Sequence, residues 1–312
     1  MKKITLLLSF VVCAMFTNAQ LLLTENFDYT AASNLLGQGS WTLTGSAATP
    51  AIQVTASSIT YSGYPGSGVG NELTLTNGED LNKVFAEQTS GTIYLSCLVN
   101  VSVAPVNGDY FIHVGSTVMG SAYIGRTFVK ADAVAGKIVF GILQASGGTA
   151  TYTTTTYDLN TTYLVVLKHD IVSKTSSIIV NPAMTTEPTA NWISNNTGTN
   201  ATTNIGSVGV RQPSASAALT AKLDGIRVAT SWSALFPASS LNTTKESKLE
   251  LIVSGKNLLV KNVAEGSEVE IFSAVGSKVL SAAVENGKVN IVNLKNGMYV
   301  VRSGKKTQKI RL

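Results

Sequence analysis

The sequence contains few cysteines, few charges and few aromatic residues. Its two cysteines are Cys13 and Cys97, 13% of its 312 residues are charged and 7% are aromatic. Two cysteines are too few for the disulfide framework of a small secreted scaffold, and no Cys-x-x-Cys or His-Glu-x-x-His motif offers an anchor for zinc. Hydrophobic residues still make up 44% of the chain, which is enough for a core and excludes wholesale disorder.

Long apolar runs are missing except at the N-terminus. There Lys2 and Lys3 precede a mostly apolar run over residues 4–16, and small or polar residues follow at 17–19. This order is typical of a secretory signal peptide, predicted over residues 1–19 and leaving Gln20 as the first mature residue. A membrane anchor is the rival interpretation, but the run is shorter than the roughly 20 residues that cross a bilayer. No later segment is predicted to span a membrane.

The two cysteines could serve as a lipoprotein cleavage site and as a reactive thiol, respectively. Lipoprotein cleavage at Cys13 is an alternative to the signal peptide, but Val12 stands where such signals have a small residue. The predicted mature chain keeps only Cys97, which cannot form an internal disulfide. Because Cys97 lies within the apolar segment 93–99, we predict a buried, inert thiol in a strand.

The net charge of +5 is unevenly distributed. Residues 20–242 contain nine Lys/Arg and twelve Asp/Glu, whereas residues 243–312 contain twelve Lys/Arg and six Asp/Glu. The positive charge therefore belongs to the C-terminal segment. Only Phe272 and Tyr299 are aromatic there, so the segment lacks the basic and aromatic clustering of a nucleic-acid-binding surface, and no nucleic-acid partner is predicted.

Short runs of alternating apolar residues, separated by turn residues, continue from Leu21 to about Ser233. This pattern, without any helical pattern of ten or more residues, predicts an all-β sandwich or barrel over residues 20–235. The clearest predicted strands are residues 72–76, 92–103, 110–114, 137–143, 162–168, 176–180, 205–211 and 219–229.

A second β pattern follows a segment of small and polar residues at 236–244, which we predict to be a linker. Residues 245–312 are predicted to form a separate, small immunoglobulin-like sandwich. Its predicted strands are residues 249–253, 257–260, 269–273, 278–284, 288–291, 298–302 and 306–312.

The C-terminal segment closely resembles the type A C-terminal sorting domain of the Bacteroidetes type IX secretion system. The resemblance lies in residues 269–279 (VEIFSAVGSKV), 289–301 (VNIVNLKNGMYVV) and the ending 309–312 (KIRL). It implies that Gly276 and Gly297 each turn a hairpin, that the strand around Tyr299 packs the core, and that the last strand, with Lys309, is basic. It also implies that the secretion machinery is a partner and that the chain is secreted, or held at the outer-membrane surface, after passing through the periplasm.

The large domain also resembles a domain of secreted Bacteroidetes proteins that is similar to concanavalin-like jelly rolls. The residues that carry this resemblance are 25–29, 66–71, 180–182 with 187–188, 211–212 and 223–232. It implies a jelly-roll β-sandwich. It implies little about function, because such sandwiches include lectins, hydrolases and inert spacers.

A catalytic constellation is hard to find. Retaining glycoside hydrolases need two carboxylates about 5 Å apart. Glu72, Glu87 and Asp109 are isolated candidates, and Glu79-Asp80 is predicted to lie in a solvated loop. His113 and His169 are predicted to be structural residues of strands. No catalytic residue is therefore predicted.

Calcium is the sharper hypothesis for a site. Side chains alternate along a strand, so Asp224 is predicted to point in the same direction as Ile226 and Val228. Such an apolar environment is unfavourable for an unpaired charge. A structural calcium ion held by Glu25, Asp28 and Asp224 would remove that penalty. The alternative is that Asp224 accepts hydrogen bonds from backbone amides at a bulge, with no cofactor.

Sugar recognition would use exposed aromatic rings, which stack on the faces of sugars. Five tyrosines near turns or in Thr-rich strands are the candidates: Tyr61, Tyr64, Tyr123, Tyr152 and Tyr157. The sequence thus favours a non-catalytic, exported β-sandwich that binds a glycan or extracellular matrix. A polysaccharide hydrolase with an unrecognised carboxylate site and a structural spacer or adhesin are the alternatives.

Overall fold

The structure is a computed structural model that describes residues 19–199, 202–237, 249–261, 263–304 and 306–312. The chain divides into two compact units, Met1–Ala238 and Ser239–Leu312. The predicted signal peptide lies outside the described residues except for Ala19. Residues 238–244 of the predicted linker lie outside them as well.

Among the described residues of the first unit, antiparallel strands make up nearly all the regular structure, with a 3₁₀ turn (Ala215–Ala217) and one short helix, α1 (Trp232–Leu235). Within residues 19–199 and 202–237 the strands are β1 (Leu21–Glu25), β2 (Ser33–Asn34), β3 (Thr42–Leu43), β4 (Gln53–Thr55), β5 (Glu72–Leu75), β6 (Asp80–Gln88), β7 (Thr92–Val103), β8 (Asp109–Gly115), β9 (Ile124–Ala131), β10 (Lys137–Leu143), β11 (Thr151–Tyr152), β12 (Tyr157–Asp158), β13 (Thr162–Asp170), β14 (Thr175–Val180), β15 (Ile193–Asn195), β16 (Ile205–Arg211) and β17 (Thr220–Ala229).

Two sheets form the sandwich. The first has the strand order β15-β14-β13-β7-β17-β5-β4-β2, and β1 also pairs with β17. The second has the order β11-β10-β9-β8-β16-β6-β3, and β12 also pairs with β10. The chain changes sheet repeatedly, from β5 to β6, β7 and β8, so the central strands of each sheet pair with strands that are distant in sequence, as β7 does with β17 and β8 with β16. This connectivity is that of a concanavalin-like jelly roll, and the predicted fold class is confirmed.

Alternating side chains of both sheets build the core between them. In β10, Ile138, Phe140 and Ile142 point inward, as expected for every second residue of a strand. Cys97 of β7 lies in the same core, and its burial raises the pKa of its thiol. The predicted burial of this cysteine is confirmed.

The outer face of the first sheet is covered by the chain itself. Trp232 of α1 is 6% exposed and packs against Phe236, Tyr94 and Trp192, with ring centroids 4.7, 6.2 and 6.1 Å away. Together with Leu98, these rings belong to a second apolar cluster on that face. The outer face of the second sheet carries polar and aromatic side chains instead, such as the half-buried Arg126, Phe128 and Lys130 of β9.

The second unit is a small immunoglobulin-like β-sandwich of two antiparallel sheets. One sheet has the order β18-β19-β22 and the other β21-β20-β23-β24, around a core of its own that includes Leu258, Val269, Ile271 and Val301. Its strands within the described residues are β18 (Glu250–Ser254), β19 (Asn257–Lys261), β20 (Glu268–Ser273), β21 (Lys278–Ala283), β22 (Lys288–Asn290), β23 (Met298–Ser303) and β24 (Lys306–Arg311).

In the described part of the chain, no helix has both the length and the apolar character needed to cross a membrane.

Candidate functional site

Five aromatic rings form a continuous chain on the outer face of the second sheet. Their order is Tyr123, His113, Tyr110, Phe128 and Tyr152, and successive ring centroids are 4.5, 5.7, 5.4 and 6.3 Å apart. Tyr110 and His113 are buried, whereas Tyr123, Phe128 and Tyr152 are half-buried and expose part of their rings. We refer to these five residues as the aromatic face.

Strand alternation directs β9 onto this face. Arg126, Phe128 and Lys130 are two residues apart and therefore share one side of the sheet, while the intervening Thr127 and Val129 are buried. Across the sheet, Phe128 lies opposite Tyr110 of β8.

Two glycines leave room for the rings. A Cβ added to Gly141 of β10 would lie 2.6 Å from Cδ1 of Tyr152, and one added to Gly209 of β16 would lie 2.2 Å from Cε1 of His113. Glycine within a strand commonly marks such a close approach. The two rings therefore lie directly against these glycines, and a side chain at either position would collide with them.

An irregularity in β8 brings Tyr110 and His113 to the same side. They are three residues apart, so regular alternation would place them on opposite faces. The pairing of β8 with β9 shifts register between Tyr110 and Ile112, which is the signature of a bulge. Phe111 and Ile112 both enter the core as a result.

Three cationic side chains surround the rings. The guanidinium carbon of Arg126 is 5.0 Å from the centroid of Tyr110 and 5.4 Å from that of Tyr123, and Arg211 approaches the Tyr110 ring to 4.2 Å. Lys130 Nζ lies 5.5 Å from the Tyr152 ring centroid. These distances are those of cation–π contacts, which stiffen the rings.

Arg211 also joins two carboxylates at one border of the face. Its Nη1 donates to Asp109 Oδ1 at 2.6 Å, and its Nε lies 3.6 Å from Asp80 Oδ2. Burial raises the pKa of Asp80 to about 6, although the charge of Arg211 opposes the shift. Burial lowers the pKa of His113 to about 3, so its imidazole is neutral at pH 7.

Comparison with known proteins identifies no family. No family model matches the chain, and no curated protein matches it. Among solved structures, the CBM2 module of the evolved Dit protein of Lactobacillus casei BL23 phage J-1 is similar at a TM-score of 0.41 and 10% identity, over 68% of this chain and 95% of that one.

Two other solved structures are similar at the same level. A protein of unknown function from Shewanella oneidensis MR-1 has a TM-score of 0.40 and 14% identity, over 67% of this chain and 85% of its own. The globular domain of Trypanosoma cruzi calreticulin has a TM-score of 0.39 and 9% identity, over 67% and 88%. Similarity this distant assigns no function to the chain.

The five predicted tyrosines do not form one site. Tyr123 and Tyr152 both belong to the aromatic face. Tyr61 instead packs beside the apolar cluster of the first sheet. The prediction that Tyr64 is exposed is wrong: it is 4% exposed, and its hydroxyl bonds to Ser96 and to the Gly225 carbonyl. Tyr64 lies within a turn segment, where its amide donates to the Tyr61 carbonyl, but its side chain packs in the apolar cluster of the first sheet.

Tyr157 lines a separate open cavity of about 550 Å³. The cavity lies beside β14 and β15, and Thr154, Asn181 and Trp192 also contribute to its wall. One face of the Trp192 ring is covered by Lys168, whose Nζ lies 4.3 Å from the centroid. The cavity offers hydroxyl and amide groups but no unpaired charge among these residues.

The three carboxylates proposed for calcium are not gathered into one cluster, and the described residues contain no group of three or more acidic, histidine or cysteine side chains suited to a metal ion. The Glu25 carboxylate is fully engaged by protein groups. It accepts hydrogen bonds from the Phe27 amide, the Tyr29 hydroxyl and Trp41 Nε1, and it pairs with Lys83. Asp28, which is exposed, has no part in this network.

Asp224 lies at a bulge and accepts hydrogen bonds from backbone amides, as the alternative to a calcium site predicts. The pairing of β17 with β7 shifts register between Asp224 and Arg227, and Gly225 adopts φ +58°. The carboxylate accepts from the Ile59 and Gly225 amides at 2.8 and 2.6 Å and from the Ser58 hydroxyl at 2.8 Å. Because of the bulge, Asp224 does not share the side of Ile226 and Val228, which both enter the main core, and the prediction that the three side chains point in the same direction is wrong.

The other acidic candidates for catalysis are accounted for by structural partners. Glu72 is buried and pairs with Lys222, while Glu87 is exposed and accepts from the Thr117 hydroxyl. The prediction of a solvated loop at Glu79-Asp80 is wrong. Glu79 is 3% exposed and accepts from the Ile52 amide, and Asp80 begins β6.

His169 is structural as well. Its Nδ1 lies 2.9 Å from the Ser176 hydroxyl, and both residues are buried, which leaves no access for a substrate. Burial lowers the pKa of this imidazole to about 4.

In the second unit, Gly276 adopts φ +87° in the turn between β20 and β21, as the resemblance implies. Gly297 does not turn a hairpin, because it lies between β22 and β23, which belong to different sheets. Tyr299 is half-buried against the core, its hydroxyl donates to the Lys295 carbonyl, and Lys309 is exposed on β24.

Sequence reasoning missed two rings of the aromatic face and the three cations beside it. Tyr110, Arg126, Phe128, Lys130 and Arg211 were not singled out as site residues. A signal was present in β9, where Arg126, Phe128 and Lys130 alternate with small or apolar residues. That pattern predicts a strand with one polar and aromatic side.

Proposed function

We propose that this chain is a secreted, non-catalytic β-sandwich protein that binds glycans on the aromatic face. The observation that carries the proposal is the unbroken chain of rings on the outer face of the second sheet, where Tyr123, Phe128 and Tyr152 stay partly exposed among the described residues of the first unit. Tyr152 on β11 and Tyr110 on β8 are three strands apart, and Phe128 joins their rings by centroid distances of 6.3 and 5.4 Å, so these three rings span at most about 12 Å across the sheet. That length suits an oligosaccharide rather than a single sugar.

The composition of the face supports a sugar ligand. Partly exposed rings of Tyr123, Phe128 and Tyr152 offer apolar surfaces for the faces of sugar rings. Arg126, Arg211 and the neighbouring carboxylates offer donors and acceptors for hydroxyl groups. The glycine positions and cation–π contacts hold the rings in place, which lowers the entropy lost when a ligand binds.

A glycan array probed with residues 20–312 tests the proposal. We expect binding to a subset of polysaccharides, lost in Tyr123→Ala and Tyr152→Ala. Tyr61→Ala is the matched control, since it removes a half-buried tyrosine away from the face and should bind as the unmodified chain does. Failure of the unmodified chain to bind any glycan would reject the proposal and favour the structural spacer.

Export by the type IX secretion system forms the second part of the proposal. Its support is the sequence resemblance of residues 269–312 together with the predicted signal peptide. Removing residues 243–312 is expected to trap the protein in the periplasm, as measured by fractionation of the expressing cells. Removing the predicted linker residues 238–242 alone is the control and should leave export intact. Normal appearance of the truncated protein in the medium would contradict the assignment.

A polysaccharide hydrolase remains the second candidate because of one observation. Asp80, with its pKa raised to about 6, lies with Asp109 around Arg211 at the border of the face. A carboxyl group with such a pKa can act as a general acid near neutral pH. Turnover on a polysaccharide panel, abolished in Asp80→Asn and in Asp109→Asn, would support this candidate against the non-catalytic one.

A further inference from the structure

Two basic residues beside the aromatic face, Arg126 and Lys130, have no acidic partner among the described residues. Lys83, Lys137, Lys168, Arg211 and Lys222 of the first unit each pair with a carboxylate. In the described part of the unit, Arg126 and Lys130 form no such ion pair. Both lie half-buried on the same strand and on the open face.

The hydrogen bonds of Arg126 leave much of its guanidinium available. Its Nε donates to the Tyr123 carbonyl at 3.2 Å and its Nη2 donates to the Ser146 hydroxyl. Both partners are neutral, so they orient the group without cancelling its charge. Lys130 Nζ lies 5.5 Å from the centroid of the Tyr152 ring, which is also neutral and leaves the charge of the ammonium group uncompensated.

The spacing of the two cations is set by the strand. They are four residues apart on β9, or about 13 Å, and Phe128 lies midway between them on the same side. The two acidic residues at the border, Asp80 and Asp109, are already engaged by Arg211. The row of cation, ring and cation is therefore the most positive part of the aromatic face.

We infer that the glycan bound by this face is an acidic polysaccharide, whose carboxylate or sulfate groups pair with Arg126 and Lys130 while a sugar ring stacks on Phe128. The inference rests on the proposed glycan binding and specifies its chemical class. Charge complementarity supports it, because hydrogen bonds between a guanidinium or ammonium and an anionic oxygen are stronger than neutral ones. Repeated acidic groups along a polymer suit two cations on one strand.

Pairs of polymers that differ only in charge test the inference. Dextran sulfate is compared with dextran, and polygalacturonate with its methyl ester, each titrated into residues 20–312 at low and high salt. We expect one acidic polymer to bind at least about tenfold more tightly than its neutral counterpart, and the difference to shrink as salt screens the charges. The polymer that binds identifies the anionic group as sulfate or carboxylate.

Two double variants locate the effect. Arg126→Gln with Lys130→Gln should weaken the acidic polymer about tenfold and leave any binding of its neutral counterpart unchanged. Lys288→Gln with Lys295→Gln is the control, because it removes the same two charges from exposed positions of the second unit. An equal loss in the control would overturn the inference, since the basic C-terminal unit would then be the attracting surface.

The remaining outcomes separate the inference from the function on which it rests. If glycan binding depends on Tyr152 but not on Arg126 and Lys130, the acidic class is wrong and the glycan-binding function stands. If binding of the acidic polymer depends on Arg126 and Lys130 but not on Tyr152, the face attracts polyanions in general. The same conclusion follows if an oligothymidylate binds as tightly as the acidic polymer. That result would overturn the inference, and the absence of any Tyr152-dependent glycan would reject the proposed function too.

Discussion

At the scale of the residue, Gly141 is as much a part of the aromatic face as the rings are. Its hydrogen leaves the space that the Tyr152 ring occupies, and its backbone is compatible with alanine because its φ is not positive. Gly141→Ala should therefore displace the ring without preventing folding. We expect a loss of glycan affinity close to that of Tyr152→Ala, measured by titration calorimetry, with little change in Tm.

Gly209 gives the matched comparison for that substitution. Its added methyl group would meet the buried His113 ring, which has no free space to move into. Gly209→Ala should therefore lower Tm clearly more than Gly141→Ala does. Undiminished affinity in Gly141→Ala would show that the position of the Tyr152 ring is unimportant.

Asp80 should make the binding of a sulfated glycan depend on pH. Its pKa is raised to about 6, so the carboxylate that is charged at pH 7.5 becomes mostly neutral at pH 5. The groups around it are Arg211, Asp109, Glu79 and Tyr110, and the nearby His113 stays neutral because its pKa is about 3. Loss of one negative charge makes the face more positive as the pH falls.

The expected result is an affinity for dextran sulfate about threefold higher at pH 5 than at pH 7.5, measured at constant ionic strength. Sulfate keeps its charge over this range, so the change reports on the protein. Asp80→Asn should bind at pH 7.5 as the unmodified chain does at pH 5 and should lose the pH dependence. The same slope in Asp80→Asn would assign the titration to another group.

At the scale of the element, the sequence predicts regular strands well and fails at bulges. The predicted bounds of β7, β10 and β16 agree with the structure, because each combines apolar residues with flanking turn signals. Strict alternation along β17 predicts the wrong side of the sheet for Asp224, because the bulge at Gly225 reverses the alternation of side chains. A bulge in β8 likewise joins Tyr110 to His113, which no pattern of period two can anticipate.

Strand β9 illustrates what limited the prediction of the site. Gly125, with φ +59°, and two basic residues interrupt its apolar pattern, so a search for apolar runs misses this strand, although its alternation of polar and apolar residues is present. The pairing partners of a strand are set by contacts distant in sequence, and no local pattern reveals that Tyr152 meets Phe128 across Gly141. For this reason the sequence identifies only Tyr123 and Tyr152 of the aromatic face and none of the cations beside it.

The element α1 should matter for stability and not for binding. Trp232 packs within the apolar cluster that covers the first sheet, away from the aromatic face on the second. Trp232→Ala is expected to lower the free energy of unfolding by about 3–5 kcal/mol, measured by chemical denaturation. The glycan affinity of the folded protein should stay the same. A loss of affinity under conditions where the variant is folded would place the binding surface on the first sheet.

At the scale of the whole molecule, the two units have separate cores and should fold separately. The apolar clusters of the first unit contain no residue of the second, and the reverse also holds among the described residues. A fragment of residues 20–237 is expected to unfold within a few degrees of the corresponding transition in the 20–312 chain and to bind the same glycan. Calorimetric scans of both proteins check this. An unfolded fragment would mean that the C-terminal unit supports the sandwich as well as its export.

The glycan affinity of the double variant Tyr123→Ala with Tyr152→Ala is the most direct measurement of the central claim. The account predicts that its Kd for the polysaccharide bound most tightly on the array rises about 30-fold, because two stacking rings are lost. Tyr61→Ala, measured alongside, should keep the original Kd. An unchanged Kd in the double variant, with its fold intact, would contradict the account, because the open face of the second sheet would then not be where the ligand binds.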